Sequence, residues 1–184
     1  MARCKKQERK RAGFTLTEVM VTLVLFSFLV PGVLMMQNMI TRVSHYGINR
    51  NVSMAAARYF QQYFVRKVNA SGLNIRIQDS GEKVLLELYE ESTGEWKDGA
   101  FCYLSRENKI VFFPAGSSSS IPVVDHVYPN ESNPIFKTEE GMVKCNFYIG
   151  KTRPEMTKKA TRFTTPGVFV ELTASPRNVG KRGT

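Results

Sequence analysis

The sequence predicts an α+β protein: one long N-terminal helix, part membrane-spanning and part amphipathic, packed on a C-terminal antiparallel β-sheet domain. Three observations predict it. An uncharged run of 23 residues, Val19 to Thr41, is predominantly apolar. Apolar side chains then recur at helical spacing toward residue 70. After Gly72 the pattern changes to short β-like runs divided by turn residues.

The first element is a basic leader, residues 1–13. It holds Arg3, Lys5, Lys6, Arg9, Lys10 and Arg11 against Glu8, a net of +5. That is half of the chain's formal charge of +10. A pI near 9.7 therefore overstates the case for a nucleic-acid surface on the folded domain.

The second element, residues 14–42, carries the apolar run. As a helix, the 23 residues from Val19 reach roughly 34 Å, enough to cross a hydrocarbon core of about 30 Å. Pro31-Gly32 falls near the middle and predicts a kink or a melted turn unless neighbouring helices support it. One acid, Glu18, stands just before the run, where a carboxylate is costly and usually functional. A cleaved secretory signal would be shorter and would close on small residues. An ordinary signal anchor accounts for the basic flank and the length but leaves Glu18 unexplained. A cut between Gly13 and Phe14 makes Glu18 the fifth residue of the mature chain.

The stretch "RKRAGFTLTEVMVTLVLFSF" resembles the class III signal of type IV prepilins and of the pseudopilins of type II secretion. In that family a basic leader ends in glycine, followed by phenylalanine, a glutamate at mature position five and an apolar stretch; Gly13, Phe14 and Glu18 match residue by residue. Thr17 stands where an aliphatic residue is commoner, and Pro31 comes a few positions earlier than the usual helix-breaking proline. The resemblance covers about thirty residues. It implies that a prepilin peptidase cuts between Gly13 and Phe14 and N-methylates Phe14. It implies a leader kept in the cytoplasm, in keeping with the positive-inside bias, a single pass through the bacterial inner membrane, and a C-terminal domain in the periplasm or outside the cell. The implied partners are the peptidase, other pilins or pseudopilins through the N-terminal helix, and an inner-membrane assembly platform. Glu18 of one subunit would pair with the new Phe14 amine of its neighbour and so set register. The plainer alternative is a helix-terminal charge made tolerable by the helix dipole.

The third element, residues 43–71, continues the helix. Ile48, Val52, Ala55, Tyr59 and Tyr63 form a stripe widened by Phe60 and Phe64, with Arg50, Arg58, Gln61 and Arg66 on the wet side. The stripe is expected to be core against the following sheet. Gly47 is a second candidate break, and Gly72 a plausible stop.

The fourth element, residues 72–174, is β-rich. Its expected strands are 73–77, 83–90, 100–104, 109–113, 123–128, 142–150 and 167–173, with a turn at Ser105–Asn108 and long connections at 114–122 and 128–141. A helix followed by such a sheet is an α+β arrangement and fits the pilin resemblance. Element order and length are similar to the J-type minor pseudopilins and W-type minor pilins. The final element, residues 175–184, is a basic, turn-rich tail expected to be disordered.

Cys4 leaves with the leader. Cys102 and Cys145 sit in expected strands of an extracytoplasmic domain, where they are candidates for a disulfide; the alternative is two separate buried thiols.

No catalytic constellation and no cofactor motif is found in the sequence: no G-x-S-x-G, H-E-x-x-H, P-loop or G-x-G-x-x-G. Glu90-Glu91 and Glu139-Glu140 are adjacent pairs and read as solvated charges. Asp125-His126 is uninformative. Asn130, Glu131, Glu139 and Glu140 match no known calcium loop, and no zinc spacing exists. The sequons at Asn51, Asn69 and Asn130 read as chance.

The leading expectation is thus a non-enzymatic minor pilin or pseudopilin of a pilus or secretion machine. A DNA-binding minor pilin of an uptake machine is the second reading. Its motive is the C-terminal bases Lys144, Lys151, Arg153, Lys158, Lys159, Arg162, Arg177, Lys181 and Arg182. A membrane-anchored periplasmic enzyme is the third.

Overall fold

A computed structural model describes residues 14–130, 133–151 and 167–177. The leader with Gly13, most of the tail and six of the nine C-terminal bases lie outside the described residues. The chain divides into two compact units, 1–44 and 45–184.

One helix, α1, runs Leu16–Asn69. Neither expected break occurs: the helix continues through Pro31-Gly32 and through Gly47. Pro31 costs about 3 kcal/mol by removing its own N–H and crowding the preceding turn. Ending the helix there would cost more, because it would leave up to four N–H and four C=O groups without partners. In the first unit every described residue is exposed, including Phe28 at 76% and Met35 at 74%. Three hydroxyl groups in this stretch bond back to the helix itself. Thr22 donates to the carbonyls of Glu18 and Val19, Ser27 to Val24, and Thr41 to Gln37. Such back-bonding removes the cost of a hydroxyl in an apolar medium.

In the second unit the end of α1 packs on two antiparallel sheets. The first is a meander of β1 (Ser71–Gln78), β2 (Lys83–Glu90), β3 (Glu95–Leu104), β4 (Lys109–Phe113) and β5 (Ile121–Asp125), paired in sequence order. The second is built on β8 (Met142–Ile149), which pairs with β6 (Val127–Pro129), β7 (Phe136–Glu139) and β9 (Val168–Ala174). Residues 123–128 were expected as one strand but are two, in different sheets. His126 between them has φ 58, and its carbonyl accepts from Gly150 N–H at 3.0 Å. That left-handed residue turns the chain from one sheet to the other. β7 lies in what the sequence suggested was a loop.

The shared core joins all three layers. Phe60 packs against Phe147 of the second sheet, with centroids 5.0 Å apart, and reaches Phe101 of the first at 6.5 Å. Phe64 meets Phe101 at 5.0 Å and Phe136 at 6.2 Å. The expected helix stripe is therefore corrected. Phe60, Phe64 and Val68 are buried and Tyr63 half-buried, but Ile48, Val52 and Tyr59 are 56%, 63% and 53% exposed. At 100° per residue, the Ile48–Tyr59 stripe lies over a third of a turn from the buried one. Gly81 marks a tight approach between the β1–β2 connection and the second sheet: it has φ +94, and a Cβ there would meet Pro134 at 2.3 Å.

The candidate disulfide is not formed; Cys102 and Cys145 are both free. Cys145 is fully buried in the core of the second sheet. Cys102 alternates with the core residues Phe101 and Tyr103, so it points to the other face of the first sheet. Burial pushes the Cys145 thiol well up from its ordinary value, and the half-buried Cys102 thiol is also raised by burial.

Candidate processing and assembly segment

The helix begins at Leu16, two residues after Phe14, which is 84% exposed. Thr15 is its N-cap and Glu18 its third residue. The two bond reciprocally. Thr15 N–H donates to Glu18 Oε2 at 3.2 Å, and Glu18 N–H donates to Thr15 Oγ1 at 3.4 Å. The Thr15 hydroxyl also reaches Glu18 Oε2 at 3.3 Å and lies 3.0 Å from the Thr17 hydroxyl. This is a capping box, in which two end groups of the helix satisfy one another. Its signature, Thr-x-x-Glu, is present in "TLTE", but the sequence pattern points to a register role or a helix-terminal charge for Glu18, with no role for Thr15.

The box changes what Glu18 has to do. Its carboxylate already accepts from its own chain's backbone and sits at the positive end of the helix dipole. An amine created at Phe14 would lie one residue from the N–H that holds it. The arrangement offers positioned charge and a defined helix start.

Elsewhere, one acid of each adjacent pair, Glu90 and Glu139, is ion-paired at the surface, while Glu91 and Glu140 are exposed. Glu139 accepts from Lys137 and Lys144, and these hydrogen bonds hold its carboxyl down to about 2. Glu90 accepts from Lys97 and Thr93, which lowers it from its ordinary value. Among the described residues no three metal-binding side chains converge; Glu131 lies outside them. Asp125 and His126 line a shallow groove with Asn49, Val52, Tyr59 and Lys151, whose floor is mostly apolar. Of the C-terminal bases, Lys144 is tied to Glu139.

Residues 9–30 match the model of the prokaryotic N-terminal methylation motif. No curated protein and no solved structure matches the chain. α1 holds a stretch long and apolar enough to cross a membrane, which with the motif fits a single-pass anchor. The motif, the basic flank before it and the capped apolar helix after it make residues 9–30 similar to the N-terminal segment of type IV prepilins and pseudopilins.

Proposed function

We propose that this chain is a minor pilin or pseudopilin, a structural subunit cut between Gly13 and Phe14, N-methylated on Phe14 and assembled through its N-terminal helix. The leader stays cytoplasmic and residues from Arg42 onward face the periplasm or exterior. The observation that carries the reading is the methylation motif at residues 9–30 leading into a wholly exposed apolar helix half. A stretch this apolar, with no side chain of its own unit covering it, needs lipid or other helices around it.

In this reading Glu18 has two successive partners. Before assembly it caps its own helix. In the assembled state it faces the Phe14 amine of a neighbour, where an unpaired charge would be penalised. Two substitutions separate these roles. Glu18→Gln keeps an acceptor for the capping box but removes the charge; Glu18→Ala removes both. Incorporation into sheared filaments or pseudopilus complexes is the readout. The charge role predicts that both variants lose incorporation. Full incorporation of Glu18→Gln with loss in Glu18→Ala would leave Glu18 as a cap alone. A wild-type chain that is processed but never enters any assembly would overturn the proposed function.

A further inference from the structure

From the proposed role as an assembly subunit, we infer that a second copy of this chain docks through its β2–β3 hairpin onto the exposed seam of α1 in the second unit. The seam is Ile48, Val52, Ala55, Tyr59, Gln62 and Arg66, at steps of four, three, four, three and four. All six are exposed, and the line runs five turns along one side of the helix, away from Phe60, Phe64 and Val68. Exposed apolar patches flanked by charge mark contact sites.

Charge identifies the occupant. No acidic residue occurs between Glu18 and Asp79, while Arg42, Arg50, Arg58, Arg66, Lys67 and Arg76 do. Of these, only Arg76 has an ion pair among the described residues, to Asp98 at 2.9 Å. Residues 79–98 reverse the balance, with seven acids against two lysines. On that hairpin Tyr89 and Trp96 pair across the strands with centroids 5.5 Å apart, and Tyr89 is 52% exposed. Glu87 and Asp98 stand opposite each other on the next rung, and Glu91 and Glu95 at the tip are exposed. Glu87 and Tyr89 alternate with the core residues Leu86 and Leu88, so this aromatic and acidic patch faces away from the core.

Seam against seam would bring arginines together, and hairpin against hairpin would bring carboxylates together. Only the crossed pairing sets opposite charges in contact and gives the apolar seam an aromatic partner. Tyr, Trp and Arg are also the side chains that anchor interfaces. The two surfaces differ, so the contact is head-to-tail, the kind that propagates into a ring or an open filament.

The test uses two differently tagged full-length chains, Val52→Cys and Ser92→Cys, co-expressed in membranes with the assembly machinery and treated with a short bis-maleimide. The parent chain, with its native cysteines, sets the background. A mixed dimer is expected only when both variants are present. Adding Arg66→Glu to the first should lower its yield by about fivefold, as like charges replace opposite ones, and Glu91→Arg in the second should restore it. No mixed dimer from chains whose mature N-terminus is Phe14 would overturn the inference alone. So would a Val52→Cys chain that links to itself as well as to its partner, or a yield indifferent to Arg66→Glu. Chains that remain uncut at Gly13 would overturn the assembly reading, and the inference with it.

Discussion

The two halves of α1 are both rich in apolar side chains, yet they answer to different solvents. From Val19 to Thr41 the helix is uncharged and predominantly apolar, Thr22, Ser27 and Thr41 bond back to it, and none of it is buried. From His45 to Asn69 the apolar residues divide into two stripes. One, centred on Phe60, Phe64 and Val68, is sealed by two sheets; the other, from Ile48 to Tyr59, is left open. A helix apolar on all sides asks for lipid or other helices, whereas a striped one asks for a protein surface.

The largest effect that bears on this contrast should come from neighbouring positions on opposite faces. Phe60→Ala is expected to destabilise the second unit by about 3–5 kcal/mol, since it removes the ring that joins the sheets. Tyr59→Ala, one residue away and half exposed, should change stability by no more than about 0.5 kcal/mol while weakening assembly. Thermal unfolding of the full chain in detergent, followed by fluorescence of Trp96, the only tryptophan, measures both. Equal losses would erase the distinction between the stripes.

Next, Leu25→Arg in the first half should cost about 3 kcal/mol of apparent insertion free energy. The expected readout is a shift of the chain out of the carbonate-resistant membrane fraction. The same substitution should leave the unfolding of the second unit unchanged. A chain that stays membrane-bound would break the assignment of that half to lipid.

The smallest effect is set by pH. Glu139 is held below its ordinary value of 4.5, to about 2, by hydrogen bonds from Lys137 and then Lys144. A carboxyl depressed in the folded state contributes stability that is present above about 4.5 and is lost as pH falls toward 2. Glu139→Gln should therefore flatten part of the acid limb of the second unit's stability, by a small amount because the group is solvated. An unchanged acid limb would assign that loss to other carboxylates.

Much of the fold was legible because its periods are clean. β2 and β4 begin and end where the alternation of "KVLLELYE" and the apolar run "KIVFF" placed them, and α1 follows its apolar spacing to Asn69. What escaped had physical reasons. Two apolar stripes of similar composition share the second half of α1, and only the sheets choose between them. The split at His126 depends on one left-handed residue inside an otherwise strand-like run. β7, "FKTE", is short and carries two charges, so its pairing with β8 decides its state. In the N-terminal segment, resemblance singled out Phe14 and Glu18, and the methylation motif found at residues 9–30 includes both. The capping box was equally legible but needed Thr15 and Glu18 to be read together.

The proposed cut between Gly13 and Phe14 would convert a basic address and an apolar helix into an assembly subunit. Intact mass and N-terminal fragmentation of the chain, recovered from cells that carry a prepilin peptidase, test it most directly. The account predicts a mature chain of residues 14–184 beginning at N-methyl-Phe14; a chain that keeps Met1 through Gly13 beside an active peptidase would contradict it.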